Sequence, residues 1–249
     1  MDRTRRQLLT GISLVGAGVV AACRQPSAGS GGASNQNQKG EVDTELEPVE
    51  VSATEDLMRE HGIIRRALLV YKESAVKLKK DMSSVPPDEL EKTAQLIRVF
   101  GEDYHERKLE ETYIFPSLKQ TQNPAAIYAD VLTAQHARGR EITDYVLRLT
   151  ALEKIPESSA SDFVEALESF VRMYEHHAAV EDTLLFPAWR RSISASEFDE
   201  MGARFEEIEE EQFGEDGFEA ALLRMAEIEE SLGLKDLGMF TAPSPPVRK

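Results

Sequence analysis

The sequence predicts an all-α fold, an up-down-up-down four-helix bundle followed by extra C-terminal helices, on three observations. From Ser52 onward apolar residues recur at helical spacing, no run alternates apolar and polar as a strand would, and the links between periodic segments are short. The 249 residues are 41% hydrophobic, with ten Phe and one Trp, enough for one sizeable core. Acidic residues number 45 against 29 basic ones, and the resulting net charge of -16 argues against a nucleic-acid partner.

The first 23 residues, MDRTRRQLLTGISLVGAGVVAAC, read as an export signal. A basic start (Arg3, Arg5, Arg6) precedes an uncharged stretch, Gln7 to Cys23, that is too short and Gly-rich for a comfortable membrane span. Arg5 and Arg6 with the following Gln-Leu-Leu resemble a twin-arginine signal, and Val20-Ala-Ala-Cys23 resembles a bacterial lipobox, after which Cys23 would carry a lipid. The expected location is therefore the periplasmic side of a bacterial cell envelope, with a lipid anchor in the membrane. Cys23 is the only cysteine, so packing or a metal, not a disulfide, must stabilise the fold. Residues 24–51 are rich in Ser, Gly, Asn, Gln and Pro and read as a flexible tether.

The bundle is expected over residues 52–190. Helix one opens at a possible capping box, Ser52 to Glu55, and carries Leu57, His61, Ile64, Leu68, Tyr71, Ala75 and Leu78 on one stripe. Pro87 suits the first position of helix two, which runs to Pro116 or slightly beyond. Helix three follows Asn123-Pro124 as cap and starting proline, and carries Leu132, His136, Gly139, Ile142, Val146 and Leu149. Helix four shows Phe163, Leu167, Phe170, Tyr174, His177, Glu181 and Leu184. Residues 191–249 form a C-terminal extension with helical pieces near 197–211 and 218–232; its stripe of Phe198, Met201, Phe205 and Ile208 would pack on the bundle, and its acids read as a solvated face.

Each bundle helix places a histidine on its apolar stripe: His61, His105, His136 and His177, out of five in the chain. Imidazoles converging in a core are expensive if unsatisfied, and the same stripes bring in Glu181 and Glu110; a metal resolves the conflict. His177 and Glu181, four residues apart, lie on one helix face. His105 and Glu110 are five apart and on a regular helix would diverge by about 140°. The apolar phase of helix two slips by one place in the same region, from Ile97, Gly101 and Tyr104 to Leu109, Tyr113 and Ile114. One inserted residue explains both slips, so a single-turn π-bulge between His105 and Glu110 is expected. In the competing reading the helix stays regular and Glu106 is the ligand. His176 is read as a flank residue, about 100° away from His177 on the helix, and Tyr104 and Tyr174 as hydrogen-bond donors near the ligands or as ordinary core.

The segments REHGIIRRAL, YHERKLEETYIFP, QHARGRE and YEHHAAVEDTLLFP resemble, in order and on four helices, the hemerythrin-like or HHE cation-binding family, over about residues 53–190. The resemblance implies a bundle that holds two non-haem irons and binds dioxygen, nitric oxide or peroxide. His61, His105, His136 and His177 would be terminal ligands, with Glu110 and Glu181 as bridging carboxylates. Oxygen-carrying members have a second third-helix histidine where this chain has Arg140, so one iron would have fewer protein ligands. That favours sensing, iron handling or oxidation over reversible oxygen carriage. A di-iron oxidase or peroxidase is the alternative, and a metal-free structural bundle the third reading.

Overall fold

A computed structural model describes residues 51–246 except residue 215. The export signal, Arg5, Arg6, the lipobox Cys23 and nearly all of the tether lie outside the described residues. No strand occurs among the described residues, and no helix there is long and apolar enough to cross a membrane.

Helix α1 is Ala53–Leu78. Ser52 caps it by accepting the Glu55 N–H, acids fill its first turn and Lys77 its last, in line with the helix dipole. Every residue of the expected α1 stripe is buried. Helix α2 runs continuously over 87–120, and its middle, Ile97–Ile114, is π-helical. The expected single-turn bulge is thus an eighteen-residue segment. In it, residues five apart stack. Phe100, His105, Glu110 and Phe115 form one buried row and Tyr104, Leu109 and Ile114 another. The Thr112 hydroxyl donates to the Arg107 carbonyl five residues back, at 2.6 Å.

Helix α3 is Ala126–Thr150 and starts later than expected. Asn123 caps the preceding turn, its Oδ1 accepting the Ala125 N–H at 2.9 Å, and Pro124 belongs to that turn. Helix α4 covers 160–192 and contains a second, unexpected π turn, Glu181–Leu185. That turn advances the phase by one residue: Leu185 is buried and Leu184, expected inside, is 45% exposed. The ring of contacts α1–α2–α3–α4–α1 closes the bundle.

Helices α5 (Ala195–Phe213) and α6 (Gly217–Ser231) pack on α1 and α2 and share their core. A capping box between Ser194 and Glu197 opens α5, and Gly214, in the left-handed region at φ 69°, ends it. The extension's acids are not all solvated: Glu209 accepts the Phe218 N–H at 2.7 Å, and Glu229 holds Arg66 through two bonds of 2.8 and 2.5 Å. Arg59 lies over the Phe218 ring, 4.2 Å from its centre.

Candidate metal centre

Four imidazoles and two carboxylates meet in the middle of the bundle, each at most 4% exposed. The Nε2 atoms of His61 and His105 are 2.9 Å apart, and those of His136 and His177 are 3.0 Å apart. Two carboxylates join these pairs. Glu110 places one oxygen 3.4 Å from His105 and the other 3.4 Å from His136. Glu181 places one oxygen 3.5 Å from His61 and the other 3.1 Å from His177. Each carboxylate thus reaches one ring of each pair, but the donors of Glu110, His136, His177 and Glu181 all lie within 4.8 Å of one another, whereas around the other pair only those of His61, His105 and Glu110 do. With Arg140 where a second third-helix histidine would stand, each pair has two imidazoles.

The outer nitrogens explain the orientation of the rings. Nδ1 of His61 faces Asp182 at 2.7 Å, Nδ1 of His105 faces Glu60 at 2.6 Å, Nδ1 of His136 faces Glu111 at 2.9 Å and Nδ1 of His177 faces Gln135 Oε1 at 2.8 Å. A carboxylate or amide oxygen can only accept, so each Nδ1 donates and each Nε2 presents its lone pair inward. Two imidazole nitrogens facing each other at 2.9–3.0 Å need a positive charge between them, a shared proton or a metal ion. Such separations are those of imidazoles set about 90° apart on an ion with metal–nitrogen bonds of about 2.1 Å. Aromatic walls fix the remaining freedom: Phe186 stacks on His61 with ring centres 5.4 Å apart, and Phe115 on His136 at 5.6 Å.

All four oxygens of Glu110 and Glu181 are buried without a hydrogen-bond partner, an arrangement rare in a folded interior. The donor set fits a pair of cations, and nitrogen with carboxylate oxygen suits iron as well as zinc or manganese. The electrostatics show how strongly the site attracts positive charge, as protons or as cations. Burial opposes charging of His136, yet Glu106, Glu110 and Glu111 raise its pKa to about 10, and Glu110 and Glu60 likewise outweigh burial at His105. Burial and the neighbouring His136 push His177 down to about 4. Burial and the adjacent Glu110 raise Glu181 well above the usual carboxylate range, while the imidazoles hold Glu110 below it against its burial. Two carboxylates this close cannot both ionise comfortably unless cations neutralise them.

All six residues expected from the sequence come together here. Glu106, the competing ligand, turns away from the inward nitrogens: it accepts from Tyr174 at 2.7 Å and from Arg140 at 3.2 Å, and stands 4.0 Å from the outward Nδ1 of His136. His176 is exposed, off the site. Arg140 also donates to Glu111 at 2.6 Å, bracing the acid that orients His136. Tyr104 donates to Glu60 at 3.1 Å, so both tyrosines bond to acids beside the site. Sequence reasoning missed the orienting role of Glu60, Gln135, Glu111 and Asp182. The signal was local: each directly precedes an α1 or α3 histidine or follows a bridging acid.

A model of the hemerythrin HHE cation binding domain matches residues 52–189 and, in a second overlapping span, residues 129–234. Two mycobacterial proteins, uncharacterized protein Rv1995 of Mycobacterium tuberculosis (strain H37Rv) and uncharacterized protein Mb2018 of Mycobacterium bovis, are each 44% identical over 241 residues, covering 95% of this chain and 90% of theirs. No solved structure matches. A matched domain over more than half the chain, with its histidines and acids gathered at one buried point, leads to one conclusion: the chain belongs to the hemerythrin HHE cation-binding family.

Proposed function

We propose that the chain is a non-haem di-iron protein. His61 and His105 hold one iron, His136 and His177 the other, and Glu110 and Glu181 bridge them. The observation that carries this reading is the orphaned set of four carboxylate oxygens facing four inward imidazole nitrogens. A metal-free bundle would have to hold protons on these buried imidazoles and on Glu181 to offset the charge. Iron bound there supplies one-electron redox chemistry and open positions for dioxygen, nitric oxide or peroxide. The protein's part is to fix the donors: Asp182, Glu60, Glu111 and Gln135 orient the rings, and Phe115 and Phe186 exclude water from one side of each pair.

Binding or sensing of a small ligand, or iron handling, is the function this site supports best. Export and a lipid anchor at Cys23 belong to the proposal, supported by the Arg5-Arg6 and lipobox motifs. Four protein donors per iron leave coordination open, which also suits a di-iron oxidase or peroxidase. Reductant-dependent turnover of oxygen or peroxide distinguishes that alternative from a binding protein. The test of the site is metal analysis after anaerobic reconstitution with ferrous iron. Two irons per chain are expected, fewer than one in Glu110→Ala, and two in Glu106→Ala. No uptake by the unmodified chain, or a loss confined to Glu106→Ala, overturns the assignment.

A further inference from the structure

The two halves of the site match in their number of imidazoles but not in what stands behind the rings. His105 and His177 are counterparts: each comes from the longer motif-bearing helix of its half, and each is held at Nδ1 by the residue that precedes the other histidine of its pair. Behind His105 that residue is Glu60, 1% exposed, whose second oxygen is taken by the Tyr104 hydroxyl and not by a cation. Behind His177 it is Gln135, a neutral amide. The other two imidazoles are equivalent, since Asp182 behind His61 is paired with Arg65 and Glu111 behind His136 with Arg140. Glu106, the remaining acid near the second pair, shares Arg140 with Glu111 and lies 4.0 Å from His136 Nδ1, beyond hydrogen-bond reach.

A carboxylate that accepts from Nδ1–H draws that proton toward itself and leaves more electron density on Nε2, while an amide oxygen does so weakly. We infer that the two cation positions are unequal: iron between His61 and His105 is held tightly, and iron between His136 and His177 is exchangeable, because Glu60 stands behind one pair where Gln135 stands behind the other. The inference rests on the di-iron reading. It adds a division of labour, since a site with one retained and one exchangeable iron can hand on an ion without being dismantled. Gln135 and Glu60 are positioning residues acting through the imidazoles they hold.

The experiment loads the full chain anaerobically with ferrous iron and follows release to an excess of a ferrous-selective chelator. Two phases of equal amplitude are expected, with rate constants separated by about tenfold or more, the scale on which orienting partners tune metal affinity. Gln135→Glu slows the fast phase toward the slow one, a gain that damage to the fold would not produce. Glu60→Gln, nearly isosteric, speeds the slow phase and leaves the fast one in place. Release of both irons in one phase by the unmodified chain overturns the inference and leaves the di-iron reading intact, as does a fast phase indifferent to Gln135→Glu. A chain that takes up no iron overturns both.

Discussion

Tyr104 to Pro116 on α2 and Tyr174 to Pro187 on α4 are two copies of one device, and they reach the same end by different backbones. On α4 the histidine and its bridging acid are four residues apart on regular α-helix, and the π turn starts only at Glu181. On α2 they are five apart, and the helix is π from one to the other, so the extra residue is absorbed and Glu110 faces inward like Glu181. From the acid onward the copies agree: Phe115 N–H donates to the Glu110 carbonyl and Phe186 N–H to that of Glu181, and each Phe-Pro then lays its ring on a histidine of another helix. The comparison shows that the placement of side chains at the site is held fixed while helical register gives way.

Breaking the shared end should hurt both halves alike. Phe115→Ala and Phe186→Ala each remove a buried ring packed on an imidazole, and each should lose roughly 3–5 kcal/mol in urea unfolding. A loss below about 1 kcal/mol in one variant alone would mean that the halves are not equivalent at this level.

The halves differ one turn before the site, where α2 buries Glu102 and α4 has no such acid. Glu102 accepts from Thr143 at 2.5 Å and faces Arg98 at 3.1 Å, but burial outweighs these and raises its pKa to about 7. The folded pKa lies above the ordinary value of 4.5, so the folded state disfavours the ionised form, and stability falls as pH rises from about 4.5 through about 7 and then levels off. Glu102→Gln removes that penalty. It should be nearly neutral near pH 4.5 and stabilising by up to about 3 kcal/mol above pH 7, read as a thermal shift that grows with pH. A shift independent of pH would contradict the assignment.

A smaller effect is expected at Gly139 on α3, where a Cβ would meet the Tyr174 hydroxyl at 2.0 Å. Gly139→Ala must push that hydroxyl off Glu106, at about 1–3 kcal/mol by overpacking, partly offset by the better helix propensity of Ala. Tyr174→Phe in the same background should recover part of the loss, because it removes the 2.0 Å contact and leaves only ring carbons at 2.8 Å to be relieved by a small shift. No recovery would mean that the clash is relieved elsewhere.

Much of this was legible in the sequence. The helical phase of the apolar residues located all four bundle helices and both later ones, and the one-residue offset between the copies announced a π element near His105. Its extent was not legible, because a bulge and a long π segment leave the same one-residue slip; the distinguishing mark was the five-residue recurrence of Phe100, His105, Glu110 and Phe115. The π turn at Glu181 leaves no slip before the acid, so the regular phase points to Leu184 as core where the structure buries Leu185. Helix α3 starts at Ala126, later than Asn123-Pro124 suggests, because Asn123 caps a turn, a role that composition does not separate from capping a helix. Glu60 and Gln135 escaped notice because they lie off the apolar stripes of their own helices and act only on a neighbouring one.

The central claim is that two cations share Glu110 and Glu181 at the middle of the bundle. Anomalous scattering at the iron edge from a crystal of the iron-loaded protein measures this directly. The account predicts two peaks per chain, one between His61 and His105 and one between His136 and His177, each within bonding distance of both carboxylates. A single peak, or peaks bound through Glu106 in place of Glu110, would contradict it.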